Sequence, residues 1–204
     1  MHFQPNDIYH VYNQGNNRQL IFNDQDDYHI FLRIVRKCIL PFSEMIAYSL
    51  MPNHFHFMIY ADERCTKLTK QGGLIIDPIT NGIRKLLSGY ARIFNDRYNH
   101  SGSVFRQKTK AKCLSDIDIF PNMALNNLDY YFNCFHYIHQ NPFRAKLVTN
   151  MEDWEYSSFK DYAGLRNGTL CNKDLAIKYC SYRPDNFLKN SYALIPDEVI
   201  IQLQ

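Results

Sequence analysis

The stretch SEMIAYSLMPNHFHFMIYA, residues 43–61, constrains the fold more than any other part of the chain. Two runs of strand-forming residues flank Met-Pro-Asn, which turns the chain and predicts an antiparallel hairpin. An isolated hairpin is marginal in water, so it needs further strands or a covering helix. The flanking sequence supplies both. DIYHVYNQG (7–15) alternates around Ile8, His10 and Tyr12 and breaks at Asn-Gln-Gly, as a first strand does. DDYHIFLRIVRKCIL (26–40) carries Tyr28, Phe31, Leu32, Val35 and Cys38 at helical spacing behind a pair of acids. Residues 64–82, with Gly72, Gly73 and Pro78, read as a looped excursion before a helix over 82–99. VFRQKTKAKCL (104–114) alternates apolar and basic residues as a fourth strand, and 125–142 read as a helix that stops before Pro142. The order predicts an α+β fold, a ferredoxin-like β-α-β-β-α-β sandwich with one additional C-terminal helix that carries Tyr137. Residues 1–150 are expected to form the main domain and 151–204 an appendage packed on it.

The chain has 204 residues, of which 46% are hydrophobic and 21% charged, the balance of a globular protein with one sizeable core. No stretch approaches the ~20 apolar residues of a membrane span. The first residues, MHFQPNDIYH, have neither the basic nor the apolar region of a secretory leader, which predicts a cytoplasmic protein. Six cysteines, none in CxxC spacing, read as reduced and mostly buried. Charge is unevenly spread. Residues 84–112 hold eight cations against one acid, a net +7, while the remainder has 15 basic and 19 acidic residues. A basic segment on a mildly acidic carrier suits a polyanion, above all nucleic acid, although a solvated helix face has the same composition. Arg92, Arg97, Arg106, Lys108 and Lys110 are the candidate phosphate contacts. Tyr90, Phe94, Tyr98 and Phe105, interleaved with them, either stack on unpaired bases or form the apolar face of the helix, and Phe94 fits the second role better.

In a strand, residues i and i+2 share a face, so His54 and His56 point one way and Phe55 and Phe57 the other. Such a pair is either two satisfied polar rings or two ligands. A catalytic divalent ion needs at least a third protein ligand. The helix segment FHYIHQNP offers His136, Tyr137, His139, Gln140 and Asn141. Tyr137 and Asn141 are four apart and so share a helical face. An amide ligand there would hold the phenol beside the ion. His136 and His139 pair with no carboxylate or cysteine and read as packing or DNA-contacting residues. His10 is placed either near the site or in the core. Tyr90 lacks an amide one turn later and reads as packing or a DNA contact.

MPNHFHFMI, then YARIFNDRY, SGSVFRQKTKAK and YIHQNP, in that order, resemble the single-tyrosine HUH transposases, and within them the REP-associated tyrosine transposases and their domesticated relatives. The resemblance runs from about residue 8 to about residue 163 and includes DWEYSSFKDY. It implies a nuclease and strand transferase acting on single-stranded DNA, often beside a hairpin. His54, His56 and Asn141 would hold Mg2+ or Mn2+, and Tyr137 would be the nucleophile. Many mobile-element members carry Gln where this chain has Asn141, a difference that points to the REP-associated branch. That branch is expected to act as a monomer and the mobile elements as homodimers. The competing expectations are a catalytically idle single-stranded nucleic-acid-binding protein on the same fold, and a metal-dependent hydrolase of small phosphate esters, which would have little use for the basic segment.

Overall fold

The computed structural model describes residues 1–71, 73–115 and 127–203. Strand β1 (Ile8–Gln14) is followed by helix α1 (Gln25–Cys38), the hairpin β2 (Glu44–Met51) and β3 (His54–Tyr60), and a small second hairpin, β4 (Thr69–Gln71) with β5 (Leu74–Ile76). Helix α2 (Pro78–Tyr98), strand β6 (Lys110–Cys113) and helix α3 (Asn127–Arg144) come next. Four shorter helices complete the order: α4 (Phe159–Tyr162), α5 (Lys173–Cys180), α6 (Pro184–Ser191) and α7 (Asp197–Leu203).

The main sheet runs β2-β3-β1-β6 with every neighbouring pair antiparallel. Its two faces carry separate cores, as the alternation along a strand requires. On one side Tyr9, Val11, Leu50, Phe55, Phe57 and Ile59 pack against the apolar stripes of α1 (Tyr28, Phe31, Val35) and α2 (Ile79, Ile83, Leu86, Tyr90, Phe94). On the other, Ile8, Ile46, Ala47 and Met58 pack against Tyr130, Tyr131, Cys134, Phe135 and Ile138 of α3. Residues of α5, α6 and α7, among them Ala176, Phe187, Val199 and Leu203, belong to this second core. The sheet is thus a middle layer between two helical ones.

Three boundaries differ from the sequence expectation. Helix α2 begins at Pro78 because Asp77 caps it, its side chain accepting from Thr80 N at 2.8 Å, and proline suits the first helical turn. The excursion before it also holds the β4–β5 hairpin. Regular pairing of the fourth main strand is confined to Lys110–Cys113. Upstream, Arg106 N still donates to Gln14 O at 2.9 Å, but the chain then leaves the ladder. There the Asn13 amide donates to Arg106 O at 3.1 Å and Thr109 Oγ1 at 2.9 Å. Helix α3 runs through Pro142 to Arg144: a proline near a helix end removes one donor, and Ala145 N still reaches Asn141 O at 2.9 Å. Residues 125 and 126, expected to open this helix, lie outside the described residues. All six cysteines are free.

Candidate active site

Strand register assembles the floor of the site. On β3, His54 and His56 face α3, while Phe55 and Phe57 are buried in the opposite core. Across the ladder, Gln14 pairs with His54 and Tyr12 with His56. The next strand brings Lys110 opposite Tyr12, and its ammonium lies 5.5 Å from the centre of the Tyr12 ring. Helix α3 supplies the roof. The Tyr137 ring stands edge-on to His56, with centroids 5.8 Å apart and planes at 80°, and to His10 at 6.1 Å and 83°. His54, His56, Tyr137, Asn141 and Lys110 line one cleft of about 340 Å³, with Tyr12, Asn13 and Gln14 completing its wall.

Burial sets the protonation of the histidines. Loss of water lowers His54 to about 4 and His56 well below its ordinary value, the neighbouring His10 and His54 adding to the effect. Burial likewise brings His10 to about 4. All three are neutral rings near pH 7, the form in which imidazole is a ligand. His54 Nδ1 lies 2.6 Å from Asn53 Oδ1, an oxygen that can only accept, so Nδ1 donates and Nε2 keeps its lone pair. His56 Nδ1 lies 2.8 Å from His10 Nε2, and His10 Nδ1 lies 2.8 Å from the Leu203 carbonyl. The Asn141 Nδ2 donates to Tyr137 O at 2.8 Å. That bond uses the donor end of the amide and leaves Oδ1 as the end available to a cation. Among the described residues no cluster of three His, Cys, Asp or Glu side chains is placed to hold a metal ion. Among the donors that line this cleft, two imidazole nitrogens and the Asn141 amide oxygen make a mixed set that fits Mn2+, or Mg2+ with retained waters.

The basic segment divides. Arg92, Arg106, Lys108 and Lys110 are exposed. Arg106 shares a groove of about 440 Å³ with Arg84, Lys85 and Ser88 of α2 and Gln107 of the following loop. Arg97 is placed differently: its guanidinium is engaged by Asp24 at 2.8 Å, Asp26 at 3.2 Å and Asp27 at 3.3 Å, joining the end of α2 to the start of α1. These ion pairs tie the Arg97 side chain to the helix pair. The interleaved aromatics Tyr90, Phe94 and Phe105 are buried in the first core, and Tyr98 packs against it. The Tyr90 hydroxyl donates to Ile21 O at 2.5 Å. His136 and His139 are packing residues, with ring nitrogens 3.0 Å from Ser191 Oγ and 2.7 Å from Ser158 Oγ. Tyr12 and Gln14 were legible as neighbours of the site, because they follow His10 at i+2 and i+4 on one strand face. The contact between His10 and Leu203 had no local signal.

Neither a protein-family model nor a curated protein matches the sequence. The fold is similar to a solved structure of a REP-associated tyrosine transposase bound to a REP hairpin, at 17% sequence identity and a TM-score of 0.52. The match covers 84% of this chain and 91% of that one. At that identity the likeness is one of fold. Among the described residues no helix is long and apolar enough to cross a membrane.

Proposed function

We propose that the chain is a transposase-like, metal-dependent endonuclease and strand transferase for single-stranded DNA next to a hairpin, with Tyr137 as its nucleophile. The observation that carries this is the shared cleft. The phenols of Tyr137 and Tyr12, two neutral imidazoles, the Asn141 amide and a lysine line it together, a combination that binding alone does not require. We read the antiparallel order β2-β3-β1-β6 as the ferredoxin-like β-α-β-β-α-β unit, with α3 added over its open face and residues 151–204 as an appendage to a catalytic domain at 1–150.

His54 and His56, through Nε2, and Asn141, through Oδ1, are the residues that would hold Mg2+ or Mn2+. Such an ion would supply Lewis-acid polarisation of a non-bridging phosphate oxygen and would favour the phenolate form of a neighbouring tyrosine. Tyr137 Oη attacks phosphorus in line. The phenol proton is lost to solvent, a bond from Oη to phosphorus forms, and the bond from phosphorus to O3′ breaks with its electron pair on O3′, which takes up a proton; the products are a 5′-phosphotyrosine and a free 3′-hydroxyl. One phosphodiester replaces another, so the step runs backwards as readily as forwards, which suits joining a new 3′-hydroxyl. Tyr137 is only 3% exposed, so its ring is set where little water reaches it. Lys110 draws the scissile phosphate into the cleft, and Arg92, Arg106 and Lys108 carry the flanking strand and hairpin.

The test is a hairpin-bearing single-stranded oligonucleotide incubated with the protein and Mn2+, then resolved on a denaturing gel. A slow-migrating covalent adduct is expected, abolished by chelator and by Tyr137→Phe. Retention of the hairpin with no adduct would instead favour the idle binding protein.

A further inference from the structure

His54 is oriented by the residue next to it, whereas His56 is oriented through a chain of two hydrogen bonds that ends in the last helix. We infer that His10 and the backbone carbonyl of Leu203 are positioning groups for His56, fixing which of its ring nitrogens faces the cleft. The inference rests on the metal-site reading above.

The direction of the relay follows from what each atom can do. The Leu203 oxygen only accepts, so the proton between it and His10, across 2.8 Å, belongs to His10 Nδ1. A neutral imidazole has one N–H, which leaves His10 Nε2 as a lone pair. His56 Nδ1, 2.8 Å away, must then be the donor. The lone pair of His56 is thereby assigned to Nε2, the same atom that His54 presents. An imidazole in water favours the opposite tautomer, with its proton on Nε2, so the relay holds His56 in its less common form before any ion arrives. Setting the tautomer of a ligand through the bond made by its other nitrogen is a recurrent device at metal sites.

The surroundings suit a fixed relay. His10 is fully buried and its ring stacks on His56 with centroids 5.0 Å apart and planes at 21°. The carbonyl it uses is itself anchored: Val199, Ile200 and Leu203 are buried in the second core. The adjacent Gln202 carbonyl accepts from Tyr130 Oη at 3.0 Å and from the Lys112 ammonium. Lys112 pairs with His10 across β1 and β6. The end of α7 is therefore held to the same strand positions that support the ligand.

Two readouts test this on the full chain. In the metal-free protein, long-range 1H–15N correlation of the histidine rings should show the proton on Nδ1 of both His10 and His56. Titration with Mn2+ should then show His10→Phe weakened by ~10–100-fold, the usual cost of losing such a partner. His10→Gln, whose amide oxygen can accept from His56 Nδ1, should recover most of that loss. A proton on Nε2 of His56 in the intact chain, or unchanged Mn2+ affinity in a folded His10→Phe protein, would overturn the relay. Failure of the metal reading looks different: the intact chain and His56→Ala would then bind Mn2+ equally poorly, whatever the ring nitrogens report.

Discussion

At the scale of single residues, the molecule buries neutral histidines on α3 and on the strands beneath it. Burial brings His10 and His136 to about 4, below the ~6.5 of the unfolded chain. Between those values the unfolded state binds protons that the folded state refuses, so stability rises with pH across that range and falls as pH drops from about 6.5 towards 4. Below about 4 the native rings protonate as well and the dependence flattens. Each ring can contribute on the order of 3 kcal/mol to this loss. Urea denaturation between pH 7 and pH 4 should show the midpoint falling steeply, and replacing His136 by Gln should blunt the fall. A flat profile would contradict the burial of these rings as neutral groups. That His54, His56, Tyr137 and Asn141 line one cleft was legible in part, because the spacing of the two histidines and that of the tyrosine and asparagine are local periodicities. The ion pairs of Arg97 were not legible, because Asp24, Asp26 and Asp27 lie some seventy positions away.

At the scale of elements, the hairpin and the long helices followed from pattern, whereas their ends followed from single capping and turn residues that periodicity ignores. Asp77 and Pro78 start α2 a full turn before its first expected residue. That early turn matters to packing, because it brings Gly82 against the end of α1. A Cβ built on Gly82 would fall 2.1 Å from the Cys38 carbonyl oxygen, a contact that neither backbone can relieve without moving. Gly82→Ala should therefore destabilise the protein by about 1–3 kcal/mol, the cost typical of overpacking, despite alanine's better helix propensity. A melting temperature equal to or above that of the parent would show that α1 and α2 are not seated as described. The helices after residue 150 were not legible beforehand. They are short, and their apolar faces make sense only once α3 and the second sheet face exist to receive them.

At the scale of the whole molecule, a three-layer sandwich separates two tasks. One sheet face builds a plain aromatic core with α1 and α2, and the other is left to carry polar groups beneath α3. The fold class was legible because strand and helix periods alternate cleanly along the chain. The coupling of the last helix to the first strand was not, since nothing local pairs His10 with Leu203. The charge distribution yields a prediction at this scale too. Arg106→Ala should weaken hairpin DNA binding at every sequence tested and reduce the salt slope of log affinity by about one. Arg97→Ala should lower the urea midpoint and leave that slope unchanged. Equal slopes for Arg106→Ala and the parent would remove the groove beside α2 from the DNA path.

If Tyr137 forms the covalent bond to DNA, the modified peptide must be the one that contains it. Protein reacted with a hairpin-bearing single strand in Mn2+ is digested with protease and nuclease, and the peptide carrying the residual nucleotide is sequenced by mass spectrometry. The modification is predicted on Tyr137 alone, within YIHQNP, and absent from the Tyr137→Phe protein. A nucleotide on any other tyrosine, Tyr12 of the same cleft included, would contradict the assignment.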